Sequence, residues 1–365
     1  MKKNITKEEF NKIFNLLSEY YNVYAPVKKK GDGAFSNTDI IYYEKVTNYD
    51  DIEWNEKSTY SPKDIIFPIS QTIMNFTYDQ VYVPDIKSIK PIYILMRPCD
   101  INGIKRLDEI FLRNGVEEDF YYKRLREKVF FALIECVDGF ENCFCVSMNA
   151  NKSSDWDFAI SNNKHQSLIS IEINEVKNSK IKNIFESLFS TNTTNNNSNN
   201  SNNSNNNDNF EIFYPEKNFK KVTLPNVEEM PSFIYTDSKL WDEYKERCIA
   251  CGRCNTTCVT CSCFSTNDLH YDDNPNVGER RRVWASCHIP KFSLMAGGHD
   301  MRKDNASRMR FKTFHKIYDY KKRFGEEKNH MCVGCGRCDD NCPEYISFST
   351  IINKLSARLI SKEKI

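Results

Sequence analysis

The sequence predicts a mixed α+β or α/β amino-terminal domain joined to a smaller, helix-rich, cysteine-dense carboxy-terminal domain. Three observations carry this prediction: a strand, helix and strand run between residues 92 and 134, a change of composition after Leu224-Pro225, and two cysteine runs after residue 247. The 365 residues allow a sizeable buried core, and 40% of them are apolar. With 51 basic and 50 acidic side chains the formal charge is +1, which removes the electrostatic ground for a nucleic-acid or anionic-membrane binder. No apolar run approaches the roughly 18 residues of a membrane span, and the start lacks a secretory stretch, so the expected compartment is the cytoplasm. There, 15 cysteines point to metal or redox chemistry rather than disulfides.

The first element reads as a helix: Thr6 caps it, Glu9 completes a capping box, and Phe10, Ile13, Phe14 and Leu17 follow the helical repeat. Residues 35 to 90 read as mixed structure punctuated by Pro62, Pro68 and Pro84. Ile92 to Met96 forms a buried strand. Asp100 then caps a helix with Ile101, Ile104, Leu107, Ile110 and Phe111 on its apolar side, and Val129 to Ile134 forms a second strand. Such a βαβ unit makes the strands parallel and places Cys99 and Cys136 beyond their carboxyl ends, where functional groups gather in open sheets. Further strands are expected at 167–173 and 210–214. Between them, residues 190–209 contain twelve Asn, four Ser, three Thr and one Asp; with no apolar side chain, this insert is expected to be a disordered loop expansion. The expected domains are therefore 1–235 and 236–365.

Two cysteine runs dominate the second domain: Cys248, Cys251, Cys254, Cys258 and Cys332, Cys335, Cys338, Cys342, each spaced C-x2-C-x2-C-x3-C. Three cysteines in such a tight loop wrap one face of a cubane, and the fourth, carried away by the next turn, ligates the other cluster. The spacing predicts two [4Fe–4S] clusters, one on Cys248, Cys251, Cys254 and Cys342, the other on Cys332, Cys335, Cys338 and Cys258. Zinc sites also use four thiolates but build them from two separated pairs. Gly252, Gly334 and Gly336 let the loop backbone approach a cluster, whose sulfurs accept backbone N–H bonds. The 73 residues between the runs, with Phe292, Met295, Met309, Phe311, Phe314, Ile317, Tyr318 and Phe324 among many basic residues, read as helix. The expectation is an α-helical ferredoxin-like domain, with helices from Trp241 to Arg247 and from Ile346 to Leu359 beside the clusters.

Seven cysteines remain. Cys99, Cys136, Cys143 and Cys145 can form a third iron–sulfur or metal site; the bland alternative is that they are small buried apolar residues. Cys261, Cys263 and Cys287 are unassigned, and Cys261 competes with Cys258 for one ligand role. Gly31 to Ser36 reads as a surface turn rather than a dinucleotide loop. The basic stretch from Arg280 to Lys312 is a solvated face, a docking face or a stabiliser of reduced clusters, and Arg253 and Arg337, in matching Cys-Gly-Arg-Cys loops, are candidates for tuning the clusters. The six histidines show no paired ligand spacing.

The segments Met96 to Asp108, Asp119 to Lys123, Cys143 to Met148, Arg281 to Cys287 and Gly297 to Arg302 resemble the four-iron dicluster family that includes the iron–sulfur subunit of anaerobic sulfite reductase. The beta subunits of soluble sulfhydrogenases share much of this pattern. The resemblance runs from about Asn4 to Lys354, the Asn-rich insert excepted. It implies an electron-transfer subunit with no catalytic residue of its own, relaying electrons from a flavin and nicotinamide subunit to a siroheme subunit that reduces sulfite to sulfide. The alternatives are the beta subunit of a sulfhydrogenase-type hydrogenase and a stand-alone iron–sulfur binding or regulatory module. Val259 departs from the pattern, since relatives often place proline after the fourth cysteine of the first run.

Overall fold

A computed structural model describes residues 1–33, 37–162, 168–174, 181–186, 210–226, 239–325 and 329–362. The Asn-rich insert at 190–209, residues 34–36 of the glycine turn and the expected 235/236 boundary lie outside the described residues.

The first strand, β1 (Lys2–Ile5), leads into helix α1 (Lys7–Tyr20). Thr6 accepts from the backbone of Glu9 and Glu9 reaches back to Thr6, so the capping box forms as its sequence predicts. Strands β2 (Asn22–Lys29) and β3 (Ile40–Lys45) follow, then a short helix α2 (Lys63–Ile66) and two strands, β4 (Ser70–Phe76) and β5 (Val81–Tyr82). Next come β6 (Ile92–Met96), helices α3 (Pro98–Leu112) and α4 (Phe120–Arg126), and strands β7 (Val129–Ile134), β8 (Phe158–Asn162) and β9 (Ile169–Ile173). Seven strands make one sheet in the order β1-β9-β8-β7-β6-β2-β3. Its centre, β2, β6, β7 and β8, is parallel and its edges are antiparallel.

All five residues of β6 are buried because the sheet is covered on both faces. Tyr93 and Leu95 face α1 with Phe10, Phe14 and Leu17. Ile92, Ile94 and Met96 face α3 with Ile101, Ile104 and Leu107, in a core that continues to Val259, Met309, Phe314, Val333 and Ile351. The cysteine-bearing region is therefore packed on one face of the first sheet.

The helical expectation for the second region needs a correction. Residues Phe264–Tyr271 (β10) and Asn274–Trp284 (β11) form a long antiparallel hairpin, and β11 pairs with β4 in a second sheet ordered β10-β11-β4-β5. This sheet takes strands from both sides of the expected boundary. Three consecutive arginines mask the alternation of β11: Arg280 pairs with exposed Asp268, while Arg282 turns inward to Asp119 at 2.9 Å and Gln71 at 2.8 Å. Helices do form elsewhere in the region: α5 (Glu243–Arg247), α6 (Arg253–Thr256), α7 (Asn305–Phe314) running through a π-helical turn (His315–Asp319) into α8 (Tyr320–Phe324), then α9 (Arg337–Asp340) and α10 (Phe348–Lys362).

Two local expectations also change. Asp100 does not cap α3; Arg97 holds that position and Pro98 opens the helix, where its missing N–H costs nothing. Residues 210–214 form no strand; the Phe213 N–H donates to the side chain of Glu135 at 2.8 Å rather than to a strand partner. Among the described residues, no helix is long and apolar enough to cross a membrane.

Candidate metal centre

The two cysteine runs fold alike. In each, a glycine in the left-handed region, Gly252 (φ 74°) or Gly336 (φ 75°), opens a four-residue helix that carries the third cysteine. These helices, α6 and α9, pack against each other. Two residues earlier stands a second left-handed position, Ala250 (φ 56°) in the first run and Gly334 (φ 66°) in the second. Only the second demands glycine for space as well as for φ: a Cβ on Gly334 would lie 2.6 Å from the backbone of Phe144. Gly334→Ala is therefore expected to cost at least about 1–2 kcal/mol, as a left-handed residue does, with the clash added. A urea denaturation midpoint within error of the parent would contradict this.

Thiols from both runs face one cavity. Cys248, Cys251, Cys254, Cys338 and Cys342 line it together with Lys312. Backbone N–H groups point at these sulfurs: Ile346 donates to Cys342 and, in the second run, Gly334 to Cys332, both at 3.4 Å. Cys258 lies away from this cavity beside Cys332 and Cys335. Burial, reinforced by Cys258, pushes the thiols of Cys332 up to about 12 and Cys335 up to about 11. Among the described residues no three Cys, His, Asp or Glu side chains converge on a point suited to a single metal ion. The first-run thiols surround a space, and an all-thiolate set around a cavity, with N–H donors aimed at sulfur, fits a cubane.

The remaining cysteines fall into two groups. Cys99 and Cys136 follow β6 and β7; Cys145 neighbours Cys136 and Cys143, and Cys99 neighbours Cys335 and Cys145. Cys261, Cys263 and Cys287 lie at the base of the hairpin: Cys261 contacts the Cys258 thiol, and Cys263 contacts Cys287, whose Sγ accepts from Asn255 Nδ2 at 3.0 Å.

The charges around the runs are hidden in the sequence. Lys63, Lys312 and Lys316 are 2%, 5% and 3% exposed, and no carboxylate pairs with any of them among the described residues. Lys312 meets the Cys254 thiol and the Phe348 ring, Lys316 donates to Thr260 Oγ1 at 2.6 Å, and Lys63 donates to the carbonyl of Cys261 at 3.0 Å. The neighbouring thiols hold the Lys312 and Lys316 ammonium groups above their ordinary range despite burial. The basic stretch is therefore not one solvated face, since Arg282, Arg308 and Lys312 point inward. The matching arginines also part company: Arg253 is exposed, whereas Arg337 is 1% exposed and pairs with Asp100. Lys312 and Lys316 stand four residues apart, one helical turn, beside the apolar stripe of Met309 and Ile317; that spacing is the one local sign of their position.

Residues 247–346 match a family described as a 4Fe-4S dicluster domain. Over 357 residues the chain is 29% identical to sulfhydrogenase 2 subunit beta of Pyrococcus furiosus, covering 97% of this chain and 98% of that relative. No solved structure gives a significant match. The chain thus carries two [4Fe–4S] clusters and serves in iron–sulfur electron transfer.

Proposed function

We propose that the chain is the electron-transfer beta subunit of a cytoplasmic oxidoreductase complex of the sulfhydrogenase type. The observation that carries the electron-transfer part is the cavity in which cysteines of both runs meet, lined also by Lys312 and Phe348. Near-full-length likeness to a sulfhydrogenase beta subunit favours that complex over the sulfite reductase that the sequence resemblance puts first.

Cys248, Cys251, Cys254 and Cys342 are the proposed ligands of the first cluster, and Cys332, Cys335, Cys338 and Cys258 those of the second. Each cluster, when bound, takes up and gives away one electron. The chain's own residues hold the thiolates apart and supply positive charge. The proposed partners are a flavin and nicotinamide subunit on one side and a hydrogen-activating subunit on the other.

Anaerobic purification of the tagged chain from its own cells tests the complex. Nickel in the co-purifying subunits, with bleaching of the cluster absorption under hydrogen, is the expected result. A siroheme spectrum in the complex would return the reading to sulfite reduction, and a monomer with no partner would favour a stand-alone module. For the ligands, Cys342→Ser is expected to remove the first-run cluster and spare the other; two clusters spectroscopically unchanged would refute the crosswise pairing.

A further inference from the structure

We propose that Cys99, Cys136, Cys143 and Cys145 hold a third [4Fe–4S] cluster, set between an open crevice and the second cysteine run. This rests on the electron-transfer reading and extends it. The four thiols come from separate places in the chain, and the topology brings them together. Cys99 lies in the first turn of α3, directly after β6, and Cys136 follows β7. Because β6 and β7 are adjacent and parallel, with Met96 opposite Leu133, their carboxyl ends are neighbours.

The loop after β7 then folds back over this edge. Cys143 N–H donates to the Phe140 carbonyl at 2.8 Å, the Cys145 carbonyl accepts from Ala150 at 3.0 Å, and Asn218 Oδ1 accepts from Val146 N–H at 2.8 Å. Cys145 thereby neighbours Cys136 and Cys143, and Cys99 neighbours both Cys335 of the second run and Cys145.

Plain packing does not account for these residues. Free cysteines occur in cores as small apolar groups. Yet Cys136 is only half-buried, on a crevice it shares with Glu135, Asp138 and Arg97. Cys143 Sγ donates to the carbonyl of Cys335 at 3.4 Å and Cys145 Sγ donates to Asn218 Oδ1 at 3.6 Å, contacts that bound iron would replace as it displaces the thiol protons.

The site also abuts the second run directly. Phe144, between the two loop cysteines, donates its N–H to the Gly334 carbonyl at 2.8 Å, and the absent Cβ of Gly334 permits that approach. Lys57, paired with Asp340, donates to the Cys335 carbonyl at 3.0 Å and stands over the Phe140 ring, so a buried ion pair borders the site. A redox group here has one side on the crevice and the other on the dicluster loops, as a relay to a docked partner requires.

The test is iron and acid-labile sulfide counted on the full chain after anaerobic reconstitution with ferrous iron and sulfide. The expected result is about twelve irons per chain, falling to about eight in Cys136→Ser and in Cys145→Ser with the dicluster signals retained. About eight irons in the unaltered chain, or a count of about twelve that neither substitution lowers, would overturn the third site and leave the electron-transfer reading standing. A reconstituted chain with no iron–sulfur absorption would overturn that reading as well. Should one variant lose all iron by misfolding, the unaltered chain's count and the other variant still decide.

Discussion

Replacing Arg337 by methionine is expected to destabilise the fold by about 3–5 kcal/mol, the range found when one partner of a buried ion pair is removed. Arg337 and Asp100 are 1% and 0% exposed. The guanidinium makes a 2.7 Å bond to Asp100 Oδ2, and also donates to the Ser58 carbonyl at 2.9 Å and to Ser58 Oγ at 2.7 Å. Tyr43 donates to Asp100 Oδ2 from the far side at 3.2 Å. Truncating the arginine leaves a buried carboxylate facing a phenol, with no cation to offset its lost hydration. The pair joins two distant parts of the chain. Arg337 lies between Cys335 and Cys338, and Asp100 follows Cys99, so it fixes the second cysteine run to the start of α3. Its loss should loosen that run and lower cluster occupancy. Urea denaturation under anaerobic conditions measures the stability change. Arg337→Met with Asp100→Asn should be less destabilised than the two single effects summed, because the double change removes the orphaned charge. A loss below about 1 kcal/mol in Arg337→Met, of the size expected for a surface pair, would contradict this role for the pair.

The second large effect is electrical. Lys312 and Lys316 carry positive charge into the interior with no carboxylate partner among the described residues, an arrangement that persists only if something else negative compensates it. The thiols beside them are mostly cluster cysteines: Cys254 and Cys338 for Lys312, and Cys258 and Cys332, together with the unassigned Cys261, for Lys316. A thiolate-ligated cubane gains one negative charge on reduction, so a fixed cation beside it favours the reduced form and raises its potential. At an effective dielectric near 20 and a separation of roughly 6 Å, one charge contributes about 3 kcal/mol before screening by solvent and by the other groups. Lys312→Met should therefore lower the potential of the first cluster most and, through Cys338, that of the second less, and Lys316→Met should lower that of the second; the larger shift in each variant is expected to be at least one tenfold step in the oxidised-to-reduced ratio, about 59 mV. A redox titration followed by electron paramagnetic resonance reads both. Equal small shifts in both clusters for each variant would mean that these lysines act only as bulk charge.

Local signals are the readable ones. Thr6 and Glu9 are three residues apart, so the capping box of α1 is written in one turn, and β6 is legible because both of its faces are apolar. The cysteine spacing is likewise local, since a single loop must wrap a single face. Asp100 shows where such reading stops. Locally it resembles a cap, but its partner is 237 residues away, and only the fold brings Arg337 to it. The hairpin is illegible for a different reason: Arg280, Arg281 and Arg282 carry one chemistry through a period-two element, so no alternation shows. For the lysines, the usual expectation of solvation is inverted by the negative centres they face, and composition does not record which cation faces a cluster.

Electron paramagnetic resonance of the anaerobically reduced full chain is the most direct test of the central claim that both runs build one pair of neighbouring cubanes. The predicted spectrum contains, beside any signal of the third site, two [4Fe–4S] signals broadened by mutual spin coupling, because ligands shared crosswise hold the two dicluster cubanes close together. A spectrum with no iron–sulfur signal, or two sharp and independent signals, would contradict it.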